Sequence, residues 1–178
     1  MDIRGKEDLV RFTSDQHFNH FNIIEYTKRP FKTLHEMNNV LIENWNSVVS
    51  VNDIVFHLGD LAFKNGEIHL SRLVKKLNGR IILIKGNHDA STKFLLDCGI
   101  EGVYKSLALE TKYGQIYLSH KPYSIKVGDL SLIEPPIGFD YHFCGHVHEK
   151  WQRVKNVINV GVDQWNYRPI IFEEIMGK

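Results

Sequence analysis

Two aspartates, four histidines and an asparagine in this chain have side chains that hold metal ions: Asp15, Asp60, His17, His120, His146, His148 and Asn87. They occur in five short strings, Asp15-Gln16-His17, Gly59-Asp60, Gly86-Asn87-His88-Asp89, Ser119-His120 and Gly145-His146-Val147-His148, each directly after an apolar run. Carboxylate oxygens and imidazole nitrogens without thiolate suit borderline divalent ions such as manganese, iron, zinc, cobalt or nickel. Seven ligands are too many for one tetrahedral centre. They suit two five- or six-coordinate ions ~3.5–4 Å apart that share a bridging carboxylate and a water. Any one string reads as a turn or a cap; the information is in their conjunction.

Such residues need a frame that brings five distant segments together. Leu9-Val10-Arg11-Phe12, Ile54 to Leu58 and Ile81 to Ile84 read as strands, as do Ile116 to Leu118 and Tyr141 to Cys144. Each string therefore stands at the C-terminal end of a strand, where open α/β sheets gather their ligands. Leu34, Met37, Leu41, Trp45 and Val48 step at helical spacing, as do Leu70, Leu73, Val74 and Leu77. Thr33 with Glu36 predicts a capping box for the first helix, Asn78-Gly79 ends the second, and Thr92 to Cys98 forms a third. Alternating strand and helix through the first hundred residues predicts an α/β layered fold. Tyr104 to Leu109 and Gln115 to Leu118 predict a hairpin, and Val157 to Val160 and Ile170 to Ile175 predict strands, so a mixed sheet or two facing sheets is expected. The stretch from Lys121 to Asp140 is expected to be an irregular loop or flap, with Lys121, Tyr123, Lys126 and Asp129 available to a leaving group.

In order, the five strings resemble the calcineurin-like metallophosphoesterase superfamily, whose pattern is D-x-H, G-D, G-N-H-[DE], a lone H, then G-H-x-H. The D-x-H-F-x-H form from Asp15 to His20 is similar to a compact, capless bacterial and phage branch. The resemblance implies a sandwich of two mixed sheets flanked by helices, four layers in all. It implies two divalent cations, manganese foremost, with Asp15, His17 and His148 on one and Asn87, His120 and His146 on the other. Asp60 would bridge them, since a carboxylate has two oxygens to share. Gly59, Gly86 and Gly145 would permit tight turns before the ligands. The implied activity is hydrolysis of a phosphomonoester or phosphodiester by a metal-bridging hydroxide, with His88 as donor to a phosphoryl or leaving-group oxygen and Asp89 orienting its imidazole. His20, Arg29 and Arg168 are candidate substrate contacts, the arginines as planar phosphate clamps. Asp163, in a stretch that also resembles that branch, would support a ligand.

Composition narrows the setting. At 178 residues the chain suits one domain spanning residues 1–178. Lys plus Arg number 22 against 21 for Asp plus Glu, so no global charge draws it to extended nucleic acid or to an acidic membrane. No apolar stretch approaches the ~20 residues of a membrane span, and the charged N-terminus lacks a secretory core, so a cytoplasmic protein is expected. Cys98 and Cys144 form no C-x-x-C pair and read as reduced packing residues. A protein Ser/Thr phosphatase is disfavoured by Leu61-Ala62-Phe63 after Gly59-Asp60, and a DNA-repair nuclease by the short chain. The expected partner is a small phosphate ester, a nucleotide or an RNA end. The rival reading, a non-catalytic scaffold on the same fold, is marked by loss of the histidine at the His88 position, which this chain keeps.

Overall fold

Val10 and Phe12 alternate with Arg11, and this period of two forms β1 (Val10–Thr13) as a strand with an apolar face. The computed structural model describes residues 1–63, 69–127 and 130–177, and of residues 125–127 and 130 the backbone alone. After β1 come α1 (Asn22–Tyr26), α2 (Leu34–Val48), β2 (Ile54–His57), α3 (Leu70–Val74), β3 (Arg80–Ile84), α4 (Thr92–Asp97) and β4 (Gly102–Tyr104). They are followed by β5 (Ser106–Thr111), β6 (Gly114–Ser119), β7 (Ser124–Val127), β8 (Leu130–Ile133), β9 (Tyr141–Cys144), β10 (Arg153–Val154), β11 (Val157–Asn159) and α5 (Phe172–Met176).

The first sheet has the order β1-β2-β3-β4 and is parallel throughout. The second has the order β10-β11-β9-β6-β5 and is mixed, with β6, β9 and β11 parallel and the outer pairs antiparallel. Two sheets with helices against them is the expected architecture; the first is parallel rather than mixed. Phe12, Phe56, Ile82 and Ile84 of the first sheet meet Leu109, Ile116, Leu118, Phe143 and Ile158 of the second in the layer between them. Val55, Ile81 and Leu83 point the other way, onto Met37, Leu41 and Trp45 of α2 and Leu73 of α3. Cover on both faces explains why β3 is apolar without alternation.

Helix α2 begins where Thr33 accepts the Glu36 N–H at 3.1 Å. Glu36 takes the Lys32 N–H instead of that of Thr33, so only half of the expected capping box forms. The second predicted helix stops at Val74, and Lys76 and Leu77 then bond three residues back, a tighter turn that still buries Leu77.

Three other expectations are corrected. The predicted strand from Tyr104 to Leu109 is divided at Lys105, because β4 pairs with β3 in one sheet and β5 with β6 in the other. The predicted loop from Lys121 to Asp140 contains the antiparallel hairpin β7–β8, for which the period of two in Ile125, Val127, Leu130 and Leu132 is the signal. The predicted strand from Ile170 to Ile175 is a single bridge at Ile170 followed by α5, because Phe172 and Ile175, three apart, both reach the inter-sheet core. Cys98 and Cys144 are buried and unpaired. Among the described residues no helix is long and apolar enough to cross a membrane.

Candidate metal centre

Because β1, β2 and β3 are parallel, the strings at Asp15, Asp60 and Asn87 leave their sheet at one edge. The strings at His120 and His146 leave the second sheet together after β6 and β9. Ligand atoms of Asp15, His17 and His148 lie within 4.8 Å of one another, and so do those of Asp60, His120 and His146. Each group thus draws on both sheets. Pairing continues past the strand ends, with the Asp15 and His17 N–H groups donating to the carbonyls of Gly59 and Asp60, both at 3.0 Å.

Backbone strain collects at these residues. Asp15, His17, Asp60, His146 and His148 have φ of 61°, 51°, 57°, 70° and 46°. Left-handed backbone at residues other than glycine costs about 1–3 kcal/mol each and persists where the surroundings impose it, typically at functional sites. Gly59, at φ 98°, takes the left-handed turn that favours glycine, while Gly86 and Gly145 serve close approach. A Cβ on Gly86 would lie 2.2 Å from Asp60 Oδ1, and one on Gly145 would lie 2.4 Å from Asp15 Oδ2.

Each carboxylate divides its oxygens in the same way. Asp60 Oδ1 accepts the His88 N–H at 2.8 Å, while Oδ2 stands 3.5 Å from His17 Nε2 and 3.4 Å from His120 Nε2. Asp15 Oδ2 accepts the His146 N–H at 2.8 Å, which leaves Oδ1 free to face the imidazoles. The histidines are fixed from behind. His120 donates from Nδ1 to the Leu58 carbonyl at 2.8 Å, and His148 from Nδ1 to Asp163 Oδ2 at 2.9 Å, so both turn Nε2 toward the site. His120 Nε2 is also 3.1 Å from Asn87 Oδ1, which brings Asn87 to the second group.

This donor set fits divalent cations. Asp15 Oδ1 and His17 Nε2 are buried with no hydrogen-bond partner among the described residues, a costly arrangement that a cation between them removes. Burial holds the His17 imidazole down to about 2 and His146 down to about 4, so both rings are neutral and offer a lone pair. Burial pushes the Asp15 carboxyl up. Burial also works against a charged Asp60, but the His120 hydrogen bond and charge outweigh it and hold that carboxyl well below the usual range. His120 and His148 are raised against burial by the carboxylates beside them, Asp60 and Asp163. The buried carboxylates therefore call for positive charge.

The other predicted residues divide. His88 is exposed, with its ring 5.3 Å from that of His17 and 5.6 Å from Phe63. His20 stacks on Phe63 at 4.0 Å and approaches His17, Nδ1 to Nδ1, at 3.4 Å. His17, His20, His88, His146 and His148 line a cavity of about 270 Å³ with Ile23, Tyr26 and Lys150. Asp89 does not orient His88. Its oxygens accept the N–H groups of Asp60 and Leu61 in the loop after β2 and of Gly86 in its own loop, at 2.8 to 2.9 Å. Arg29 is no phosphate clamp, since all its donors are engaged. They bond both oxygens of Asp163, the carbonyls of Asp15 and Gln16, and Met37 Sδ. Arg168 pairs with Glu174 of α5 rather than joining the cavity. Lys121 lines a separate cleft beside Asn87 and His120, and Tyr123 is exposed. Asp129 and the side chain of Lys126 lie outside the described residues.

Sequence reading missed several supports. Phe63 is flanked by the rings of His20 and His88. Asn38 of α2 accepts the Asn19 N–H at 3.1 Å and donates to the Asn19 side chain, tying down the loop that carries His17. Asn159 donates to the carbonyls of His148 and Trp151. A buried Asn on an apolar helix face was the available signal for Asn38; no local pattern pointed to the others.

Comparison with known proteins agrees with this geometry. An uncharacterized protein of Methanocaldococcus jannaschii, MJ1445, is 35% identical over 176 residues, covering 94% of this chain and 89% of its own. The gene 66 protein of Mycobacterium phage L5 is 29% identical over 182 residues, 86% of each chain. The crystal structure of AQ665, a protein of unknown function from Aquifex aeolicus, matches with a TM-score of 0.73 at 29% identity, over 94% of this chain and 97% of that one. The description of the calcineurin-like phosphoesterase superfamily domain matches residues 10–165, from the first residue of β1 to just past Asp163, and to that superfamily the chain belongs.

Proposed function

We propose that this protein hydrolyses a small phosphate ester with two divalent cations, manganese foremost. Asp15, His17 and His148 hold one, Asn87, His120 and His146 the other, and Asp60 is shared. The observation that carries this reading is the position of Asp60 Oδ2, about equally far from one imidazole of each group. Cations so held supply Lewis-acid activation of water and neutralise charge on the phosphoryl oxygens. The chain's own residues do the rest. Asp60 Oδ1 and Asp15 Oδ2 lock the loops through backbone amides, which keeps the other oxygen of each on the ligand side. His88, exposed beside the cavity and not a member of either group, is positioned to give a proton to the leaving oxygen. No side-chain nucleophile is needed.

The test is metal analysis of protein purified without chelator, with hydrolysis of mono- and diesters under manganese, iron, zinc and nickel. About two ions per chain and metal-stimulated hydrolysis are expected. Fewer than about one ion, with no manganese-stimulated turnover, overturns the proposal in favour of a binding scaffold. In His88→Ala, turnover should fall by about 10²–10⁴-fold with both ions retained. Loss of metal together with activity would contradict the role given to His88.

A further inference from the structure

The chain crosses from one sheet to the other at a single residue, Lys105, between β4 and β5. Parallel pairing ends at Ile84↔Tyr104, and antiparallel pairing begins at Ser106↔Ser119. Lys105 therefore stands beside Lys85, one residue past β3, and beside His120 and Lys121, just past β6. The Lys85 N–H donates to the Tyr104 carbonyl at 2.8 Å and holds this arrangement. Lys85, Lys105 and Lys121 line one cleft of about 350 Å³ together with Asn87 and His120. Among the described residues no carboxylate lines it, and none of the three ammonium groups has an ion-pair partner. Several arginines elsewhere are matched, Arg11 with Asp53, Arg29 with Asp163, Arg80 with Glu101 and Arg168 with Glu174, whereas exposed lysines such as Lys28, Lys75 and Lys93 also lack an ion pair among the described residues. What sets Lys85, Lys105 and Lys121 apart is that they converge on one cleft. Like charges gathered this way repel one another unless an anion joins them.

We infer that this cleft is a second phosphate subsite, so that the substrate is a small ester carrying at least one phosphoryl group beyond the one cleaved. The inference rests on the hydrolysis proposed at the adjoining centre. Lysine binds phosphate as a point charge, and three around one cleft suit a group bearing more than one negative charge. A volume of about 350 Å³ is that of a small-molecule site. The near-neutral chain has no overall positive charge of the kind that draws a protein to an extended nucleic-acid strand. The cavity on the other side of the centre, with Ile23, Tyr26 and His20, is left for the organic part of the ester.

The test compares orthophosphate with imidodiphosphate, which has a second phosphoryl group and resists hydrolysis. Both are titrated by calorimetry into the manganese-loaded protein and used as inhibitors of bis(p-nitrophenyl) phosphate hydrolysis. Three proteins are compared: the natural chain, a variant with Lys85→Gln, Lys105→Gln and Lys121→Gln, and a charge-matched control with Lys75→Gln, Lys76→Gln and Lys93→Gln at exposed sites outside the cleft. The natural chain and the control should prefer imidodiphosphate by at least about ten-fold, and the cleft variant should lose that preference. A preference unchanged in the cleft variant, or lost equally in the control, overturns the subsite. Chelation of manganese by the probe is the same for all three proteins and cancels. If no ester is hydrolysed, the proposed function fails, and the calorimetric ratio still decides the subsite on its own.

Discussion

His148 turns Nε2 to the metal centre because its Nδ1–H is held by Asp163, which Arg29 in turn holds by two hydrogen bonds. Asp163→Asn keeps the size of that side chain and removes its charge. Outer partners of metal-binding histidines are typically worth about 10–100-fold in affinity. Manganese titration of the metal-free variant should therefore show one site weakened by about that factor and the other little changed; two unchanged sites would deny Asp163 this role. The residue scale is also where local reading was both best and worst. Asp15, His17, Asp60, His120, His146 and His148, which the fold gathers into two groups, could be picked out because donor chemistry is carried by each side chain itself. Arg29 and Asp89 were misread because their roles depend on which partner satisfies them. Arg29 meets Asp163 across 134 positions of sequence, and Asp89 meets amides of a different loop rather than its neighbour His88.

The strands position the site through the layer between the sheets, where Phe12 is the common neighbour of Phe56, Phe143 and Phe172 at centroid distances of 5.7, 5.0 and 4.8 Å. Removing this ring leaves a cavity under β1, just before Asp15. Phe12→Ala should cost about 3–5 kcal/mol in urea unfolding; a loss below about 1 kcal/mol would mean that the layer does not lock the two sheets together. In β9, buried His142 accepts the Tyr123 N–H and is 2.8 Å from Ser119 Oγ, so it joins β6 to the start of the segment after it. Burial holds this imidazole down to about 4, against 6.5 when unfolded. The unfolded chain therefore binds the extra proton first. Stability from the neutral ring is full above 6.5 and is lost as pH falls toward about 4. Between about pH 7 and about pH 5 this ring should contribute about 2 kcal/mol of the loss, beside that of buried His57, and His142→Gln should make the slope shallower by that amount. An equal slope in both proteins would refute the assignment. Strands β1 to β3 were legible in sequence, β1 by its period of two and β3 by its unbroken apolar run. The C-terminal helix α5 was not, because its segment opens on Ile170-Ile171-Phe172, a short apolar run of the kind that reads as a strand.

As a whole, the molecule folds around buried charge that its own side chains do not fully satisfy. Among the described residues Asp15 Oδ1 and His17 Nε2 have no hydrogen-bond partner, so cations that bind the folded state alone should stabilise it. At about 100 times the dissociation constant this linkage is worth about 2.7 kcal/mol. A chelator should therefore lower the calorimetric melting temperature by about 5–10 °C in a chain of this length, and manganese should restore it. A melting temperature indifferent to chelator would mean that no cation is held there. The strand ends, the donor types and their order along the chain were written in local pattern, because side-chain period and ligand chemistry are properties of neighbouring residues. Which donors share a centre, that Asp60 lies between the two groups, and that Lys105 brings three unmatched lysines beside Asn87 were settled only by the folded chain. Those relations depend on how two sheets meet, and the contacts that set their meeting join residues far apart in sequence.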